Sequence, residues 1–191
     1  MVLSRGMSET RHVVLGVTGS IAAYKAADLT SRMRQKGLSV VVAMTRSAQE
    51  FVTPLTFEYL SNRPVITGLF QRAGGYETNH VSISDEADVA VIAPATANII
   101  GKIANGIADD ALSTIIMAFS KPLIIAPAMN ERMYRSPALQ LNLQRLRERG
   151  VRQVGPGNGW LACGVEGEGR LADVAEILDA VLKELKADSL T

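Results

Sequence analysis

HVVLGVTGSIAAYKA, residues 12–26, is the stretch on which the fold turns. Its first six residues are a β-branched and aliphatic run with the character of a buried parallel strand. Thr18-Gly19-Ser20-Ile21 follows at once, too short for anything but a tight turn. Beyond it, Ala22, Ala26, Leu29 and Met33 fall on one helical face, Arg32, Arg34 and Lys36 crowd the last turns, and Gly37 supplies the stop. Strand, tight turn and helix in that order form the opening unit of an α/β domain.

The same alternation continues outward. Residues 38–44 repeat the buried-strand composition and end on Thr45-Arg46-Ser47, all hydrogen-bond donors. Residues 54–60 read as a short helix and 62–76, with paired glycines and a proline, as an irregular connection before His80. A strand at 89–93 and a helix at 95–104 closed by Asn105-Gly106 come next, then a helix capped by Asp109 or Asp110 that runs to Phe119. Pro122 opens a strand to Ala126. Ser136-Pro137 starts a helix whose stripe is Leu139, Leu143 and Leu146 and whose stop is Gly150. A short strand at 151–154 precedes a last helix, opened by the capping box of Asp173 and Glu176, that buries Val174, Ile177, Leu178, Val181, Leu182 and Leu185. The expected fold is α/β: a doubly wound, Rossmann-like, mainly parallel sheet with helices on both faces and a ligand at the carboxyl ends of its strands. The expected organisation is one domain over 11–187, with tails at 1–10 and 188–191.

Bulk properties narrow the function. A chain of 191 residues suffices for one well-buried domain. With 20 basic and 19 acidic side chains, it has no charge excess that would draw nucleic acid or an anionic membrane, so a small substrate is expected. One cysteine, Cys163, cannot form an internal disulfide; no secretory leader and no apolar run of membrane-spanning length is legible, and the expected compartment is the cytoplasm. The mean hydropathy of +0.13 is high for a water-soluble chain, and buried contacts between subunits would account for it.

Five segments carry chemistry. Gly16-Val-Thr-Gly19-Ser20 sets amides and a hydroxyl at a helix N-terminus, where a phosphate binds well. It lacks the third glycine of the dinucleotide fingerprint, and no carboxylate ends the second strand to hold a ribose. A mononucleotide is therefore favoured over NAD, while a 2′-phosphate on Arg46 and a turn that needs Gly19 for backbone reasons alone stay open. Thr96 and Asn98, at the end of a strand, suit a ligand or a helix cap equally. Asn130 could donate to a carboxylate or cap a helix, with Met129 and Met133 as core filler. Residues 155–170 hold six of the 16 glycines together with Cys163 and the only tryptophan, Trp160, and are expected to be an irregular, mobile lid. His80 is a base or a surface histidine. One cysteine and two histidines 68 positions apart offer no zinc site.

Taken together, GVTGSIAAYKA at 16–26, AMTRSA at 43–48, PATAN at 94–98, PAMNERMY at 127–134 and ACGVEGEGRL at 162–171 resemble, in order and spacing, the flavin-containing cysteine decarboxylase family, and within it the bacterial phosphopantothenoylcysteine decarboxylases. The resemblance runs from His12 to the last helix. It implies FMN as cofactor, held by Gly19, Ser20, Ile21, Thr45 and Ser47 at the phosphate and bordered by Thr96, Ala97, Asn98, Ile99 and Met129. It implies His80 as the active-site base, Asn130 as the binder of the substrate carboxylate with Met133 and Arg170 beside it, and 155–170 as a substrate clamp whose Cys163 acts in the last, reductive step. The implied reaction converts 4′-phosphopantothenoylcysteine to 4′-phosphopantetheine. Its carboxylate sits on a carbon with no neighbouring electron sink, and reversible oxidation of the adjacent CH₂S carbon would create one.

Two features differ from the commoner pattern: Tyr134 stands where many members have tryptophan, and the synthetase domain often fused to bacterial members is not in this sequence. The family also implies a homo-oligomer, a trimer or trimers assembled into a dodecamer, with the site at a subunit boundary. Competing readings are a peptidyl-cysteine decarboxylase, against which Cys163 argues, and a non-catalytic FMN-binding regulatory subunit, against which His80, Asn130 and Cys163 together argue.

Overall fold

The computed structural model describes residues 10–69, 72–73, 76–77, 80–160, 164 and 166–187. The expected tails fall outside these residues except for Thr10. β1 (His12–Val17) turns into α1 (Ala23–Gln35), and β2 (Ser39–Met44) follows. Two short helices, α2 (Arg46–Gln49) and α3 (Pro54–Ser61), lead to the two-residue strands β3 (Arg72–Ala73) and β4 (Tyr76–Glu77) and to α4 (His80–Glu86). The second half runs through β5 (Val89–Ala95), α5 (Ala97–Asn105), α6 (Ala111–Ala118), β6 (Leu123–Pro127), α7 (Glu131–Tyr134), α8 (Pro137–Glu148) and β7 (Arg152–Gln153). It ends with β8 (Gly157–Trp160), β9 (Glu166–Arg170) and α9 (Val174–Ala187).

Five strands pair in parallel in the order β2-β1-β5-β6-β7. The chain moves outward from β1 to β2 and then crosses back to β5, so the winding reverses between β1 and β5. At such a reversal the loops after the two strands diverge to opposite faces and leave a crevice at the carboxyl edge. Alternation along the strands feeds two cores. Val13, Leu15 and Val17 face α1, α9 and Phe57 of α3, while Val14, Ala90, Ile92 and Ile125 face α5, α6 and α8. Every residue of β5 is buried, as a central strand covered on both faces requires. Gly16 has the reason of a packed interior: a Cβ there would stand 2.7 Å from Leu112 Cδ1 of α6.

Two local expectations differ from the structure, and one helix is not foreseen by the sequence. Strand β5 continues through Pro94 to Ala95, so α5 starts at Ala97, two residues later than its composition suggests. Helix α4 has no apolar stripe to announce it; the Ser84 hydroxyl holds it by contacting the carbonyls of His80, 2.7 Å, and Ile115, 3.0 Å. The expectation that 155–170 is irregular is corrected: β8 and β9 form an antiparallel hairpin, Trp160 opposite Glu166 and Gly159 opposite Gly167. Glycine here permits regularity, because Gly159 and Gly169 adopt φ of 151° and 137° within the strands, where a side chain would be strained.

Candidate functional site

At the carboxyl edge, at the reversal point, lies a cleft of about 520 Å³. Three loops build it. The turn after β1 contributes Gly19, Ser20, Ile21, Tyr24 and Lys25, the turn after β5 contributes Thr96 and Ala97, and the loop after β6 contributes Met129, Asn130 and Met133. The hairpin closes one side with Trp160, Gly169 and Arg170.

The β1 turn is shaped by close approach. Gly19 has no left-handed φ, so backbone strain is not why glycine stands there. A Cβ on Gly19 would instead collide with the Cβ of Ser47. The loop after β2 therefore presses against the turn, with Thr45 capping α2 by accepting the Ala48 amide at 3.3 Å. Ser20 accepts the Ala22 amide at 3.3 Å, which leaves its hydrogen to donate. Neither α1 nor α5 has a side-chain cap at its N-terminus. In α5 the first intrahelical bond to Thr96 comes from Ile100, so the amides of Ala97, Asn98 and Ile99 are open donors of the first turn. At the start of α1 the amides of Ala22, Ala23 and Lys25 are taken up by Ser20 and Ala22, so the open amides at the crevice are those of the first turn of α5, where the aligned peptide dipoles favour an anion.

On the far wall, Asn130 is the N-cap of α7 and also lines the cleft. Its Oδ1 accepts the Arg132 amide at 2.9 Å, which assigns the orientation of the side-chain amide. The hairpin is fastened to this loop by the Met129 amide donating to the Gly169 carbonyl at 3.0 Å. Gly169 is required by that contact, since a Cβ there would collide with the Met129 carbonyl, whereas a Cβ on Gly167 would meet only the Glu131 carboxylate, which can swing aside. Lys25 and Arg170 are the cations of the lining, and among the described residues no carboxylate lines the cleft. Its field attracts anions.

Of the residues expected in the site, Gly19, Ser20, Ile21, Thr96, Ala97, Met129, Asn130, Met133 and Arg170 meet in this cleft. Ser47 stands behind Gly19 and Thr45 caps α2, and neither lines the cleft. The Asn98 side chain is exposed, and that of Ile99 is buried in the second core, so Ile99 can serve the cleft only through its amide. His80, in the first turn of α4, lines a separate small hollow with Ile66, Leu69, Ile83 and Ile115. Cys163 lies outside the described residues. Tyr24 and Lys25 were not singled out from the sequence, although the spacing 21, 24, 25 places them on one side of the first helical turn.

Comparison with known proteins supplies a family. A family model described as Flavoprotein matches residues 1–186. The coenzyme A biosynthesis bifunctional protein CoaBC of Bacillus subtilis is 45% identical over 183 residues, which are 96% of this chain and 45% of that protein. Its counterpart in Escherichia coli is 43% identical over 169 residues, 88% of this chain and 42% of that protein. The chain thus spans less than half the length of these relatives. Among solved structures, a PPC decarboxylase mutant complexed with pantothenoylaminoethenethiol matches with a TM-score of 0.82 at 31% identity, covering 93% of this chain and all of that one. The FMN-dependent cysteine decarboxylase SpaF matches with a TM-score of 0.79 at 34% identity over 93% of this chain and 98% of its own.

Proposed function

Because the chain belongs to the Flavoprotein family, we propose that it converts 4′-phosphopantothenoylcysteine to 4′-phosphopantetheine in coenzyme A biosynthesis, with FMN as cofactor. The observation that carries this reading is one cleft lined by the open first turn of α5, the Ser20 hydroxyl, Lys25 and Arg170, with Asn130 on the far wall.

The residues fit FMN. Gly19, Ser20 and Ile21 line the cleft with Thr96 and Ala97, where the Ser20 hydroxyl and the first-turn amides of α5 would hold the phosphate; Ser47 packs behind Gly19, and we assign Thr45 and Ser47 as further donors. Ile21, Ala97 and Met129 provide apolar wall for a ring system, and a cleft of about 520 Å³ is of cofactor size. When bound, FMN supplies a reversible two-electron oxidation, which lends the substrate the electron sink its carboxylate lacks.

The chain's own groups bind and move protons. Asn130 orients the carboxylate through Nδ2, and as a neutral donor it avoids pairing the carboxylate with a full charge that would stabilise it against leaving. Met133 and Arg170 flank it, and the hairpin keeps water from the bond that breaks. We assign His80 the role of base and Cys163 that of proton donor in the last step.

A single chain holds His80 in a hollow apart from the cleft, while Ile21, Tyr24, Phe51, Leu55 and Tyr59 lie exposed near the β1 turn and along α3. Both facts support a trimer, alone or assembled into a dodecamer, in which a second copy covers this surface and brings its own His80 to the site. Among the described residues no helix is long and apolar enough to cross a membrane, and a role in coenzyme A synthesis points to the cytoplasm.

The test is a visible spectrum followed by 4′-phosphopantothenoylcysteine with products read by mass spectrometry. A yellow protein that forms 4′-phosphopantetheine is expected. Turnover of peptides ending in cysteine, and not of this substrate, would move the reading to a peptidyl-cysteine decarboxylase; a yellow protein inactive on both would be a regulatory subunit; failure to take up FMN would end all three. Mixing inactive His80→Asn and Asn130→Asp subunits, then reassembling them, should restore activity at about a quarter of the sites if each site draws on two copies.

A further inference from the structure

Thr18 lies beneath the cleft, 1% exposed, between the turn after β1 and the turn after β5. Its Oγ1 is 2.7 Å from the Pro94 carbonyl, 3.1 Å from the Thr96 amide nitrogen and 3.2 Å from the Thr96 Oγ1. A threonine hydroxyl has one hydrogen and two lone pairs. A carbonyl only accepts, so that hydrogen goes to Pro94; an amide only donates, so one lone pair receives the Thr96 N–H. The Thr96 hydroxyl can then meet Thr18 only as a donor. Its one hydrogen is directed at Thr18, and its lone pairs are what remain for the cleft that Thr96 lines.

We propose that Thr18 is a positioning residue that holds the Thr96 hydroxyl as a fixed hydrogen-bond acceptor toward the flavin ring, so that the protein binds reduced flavin more tightly relative to oxidised flavin. The inference rests on the FMN reading. In the oxidised ring the central nitrogens carry lone pairs only. Two-electron reduction with uptake of a proton forms an N–H bond there, the electrons being supplied in turnover by the substrate's CH₂S carbon and returned to the decarboxylated product. A freely rotating hydroxyl would serve either state by turning its hydrogen. One anchored by Thr18 gains a partner on reduction and faces lone pairs on oxidation. Burial of Thr18 matters, because water cannot take its place between Pro94 and Thr96. The device suits a reaction that must first draw a hydride from a weak donor.

The experiment uses the holoprotein. Affinity for FMN is measured by fluorescence quenching, and the midpoint potential by equilibration with a reference dye during slow enzymatic reduction. Thr18→Ser keeps the hydroxyl and should match the wild type. Thr18→Val should lower the ratio of reduced to oxidised affinity about tenfold, which moves a two-electron midpoint about 30 mV more negative. Thr96→Val, which keeps the Thr18 bonds to Pro94 and to the Thr96 amide, should give the same shift and decides the matter if Thr18→Val does not fold. The double variant should add nothing beyond Thr96→Val, because one hydroxyl acts through the other. An unmoved potential in Thr96→Val, or a Thr18→Val shift that persists in full in the Thr96→Val background, overturns the inference. A wild-type chain that takes up no FMN overturns the functional reading and this inference with it; one that binds FMN and turns over, with unmoved potentials in the variants, overturns this inference alone.

Discussion

Gly169→Ala tests how the hairpin is held. Gly169 has φ of 137° and its carbonyl accepts the Met129 amide at 3.0 Å, while an added Cβ would collide with the Met129 carbonyl. A side chain in that backbone region costs roughly 1–3 kcal/mol, and the hydrogen bond lost on retreat is worth about 1 kcal/mol. The obstacle is backbone, which cannot swing aside as a side chain can. A local penalty of roughly 2–4 kcal/mol would lower the docked population of the hairpin by about 30-fold to 1,000-fold. The sheet and its two cores do not depend on this contact, so the melting temperature should move by only a few degrees. Hydrogen exchange is the assay: amides of 157–160 and 166–170 should lose protection while β1 and β5 keep theirs, and turnover should fall with FMN still bound. Gly68→Ala, where no atom of the described residues lies within 4 Å of the added carbon, is the control and should leave the hairpin's protection unchanged. Wild-type protection of the hairpin in Gly169→Ala would refute the claim that this contact fastens it.

Three further outcomes are expected. Gly19→Ala should weaken FMN binding at least tenfold with little loss of secondary structure, read by flavin titration and circular dichroism, because its Cβ collides with Ser47 at the phosphate turn. Cys163→Ser should still release carbon dioxide but accumulate the oxidised enethiol; unchanged saturated product, by mass spectrometry, would remove Cys163 from the mechanism. The third concerns acid. Burial pushes the Asp110 carboxyl up, but the Lys102 ammonium at 2.6 Å and the amide and hydroxyl of Ser113 outweigh it and hold it below its ordinary value. A depressed carboxylate stabilises the fold above its unfolded pKa and loses that contribution as pH falls through the folded one, so Asp110→Asn should flatten the acid limb of the melting curve below about pH 4. An acid limb identical in both proteins would deny Asp110 that part.

What could be read from the order of residues was everything set by near neighbours. The β-branched run at 12–17, the alternation of strands and helices, the stops at Gly37, Gly106 and Gly150 and the cap at Asp110 each depend on a few adjacent residues, and each stands in the structure. So does the parallel sheet, because strands separated by helices have few other ways to pair. Groups far apart in the chain needed the tertiary structure. Ser47 accounts for Gly19, and Thr18 orders Thr96 across 78 positions. Met129 explains Gly169, and paired strands stand where glycine content alone suggested an irregular lid. Helix α4 was invisible for the same reason, since the Ser84 hydroxyl that fastens it reaches Ile115, 31 positions away. Propensity and periodicity are sums over neighbours along the chain. Close approach, shared hydrogens and the reversal of winding that opens the cleft are properties of contacts between segments, and the sequence names their members without saying which of them meet.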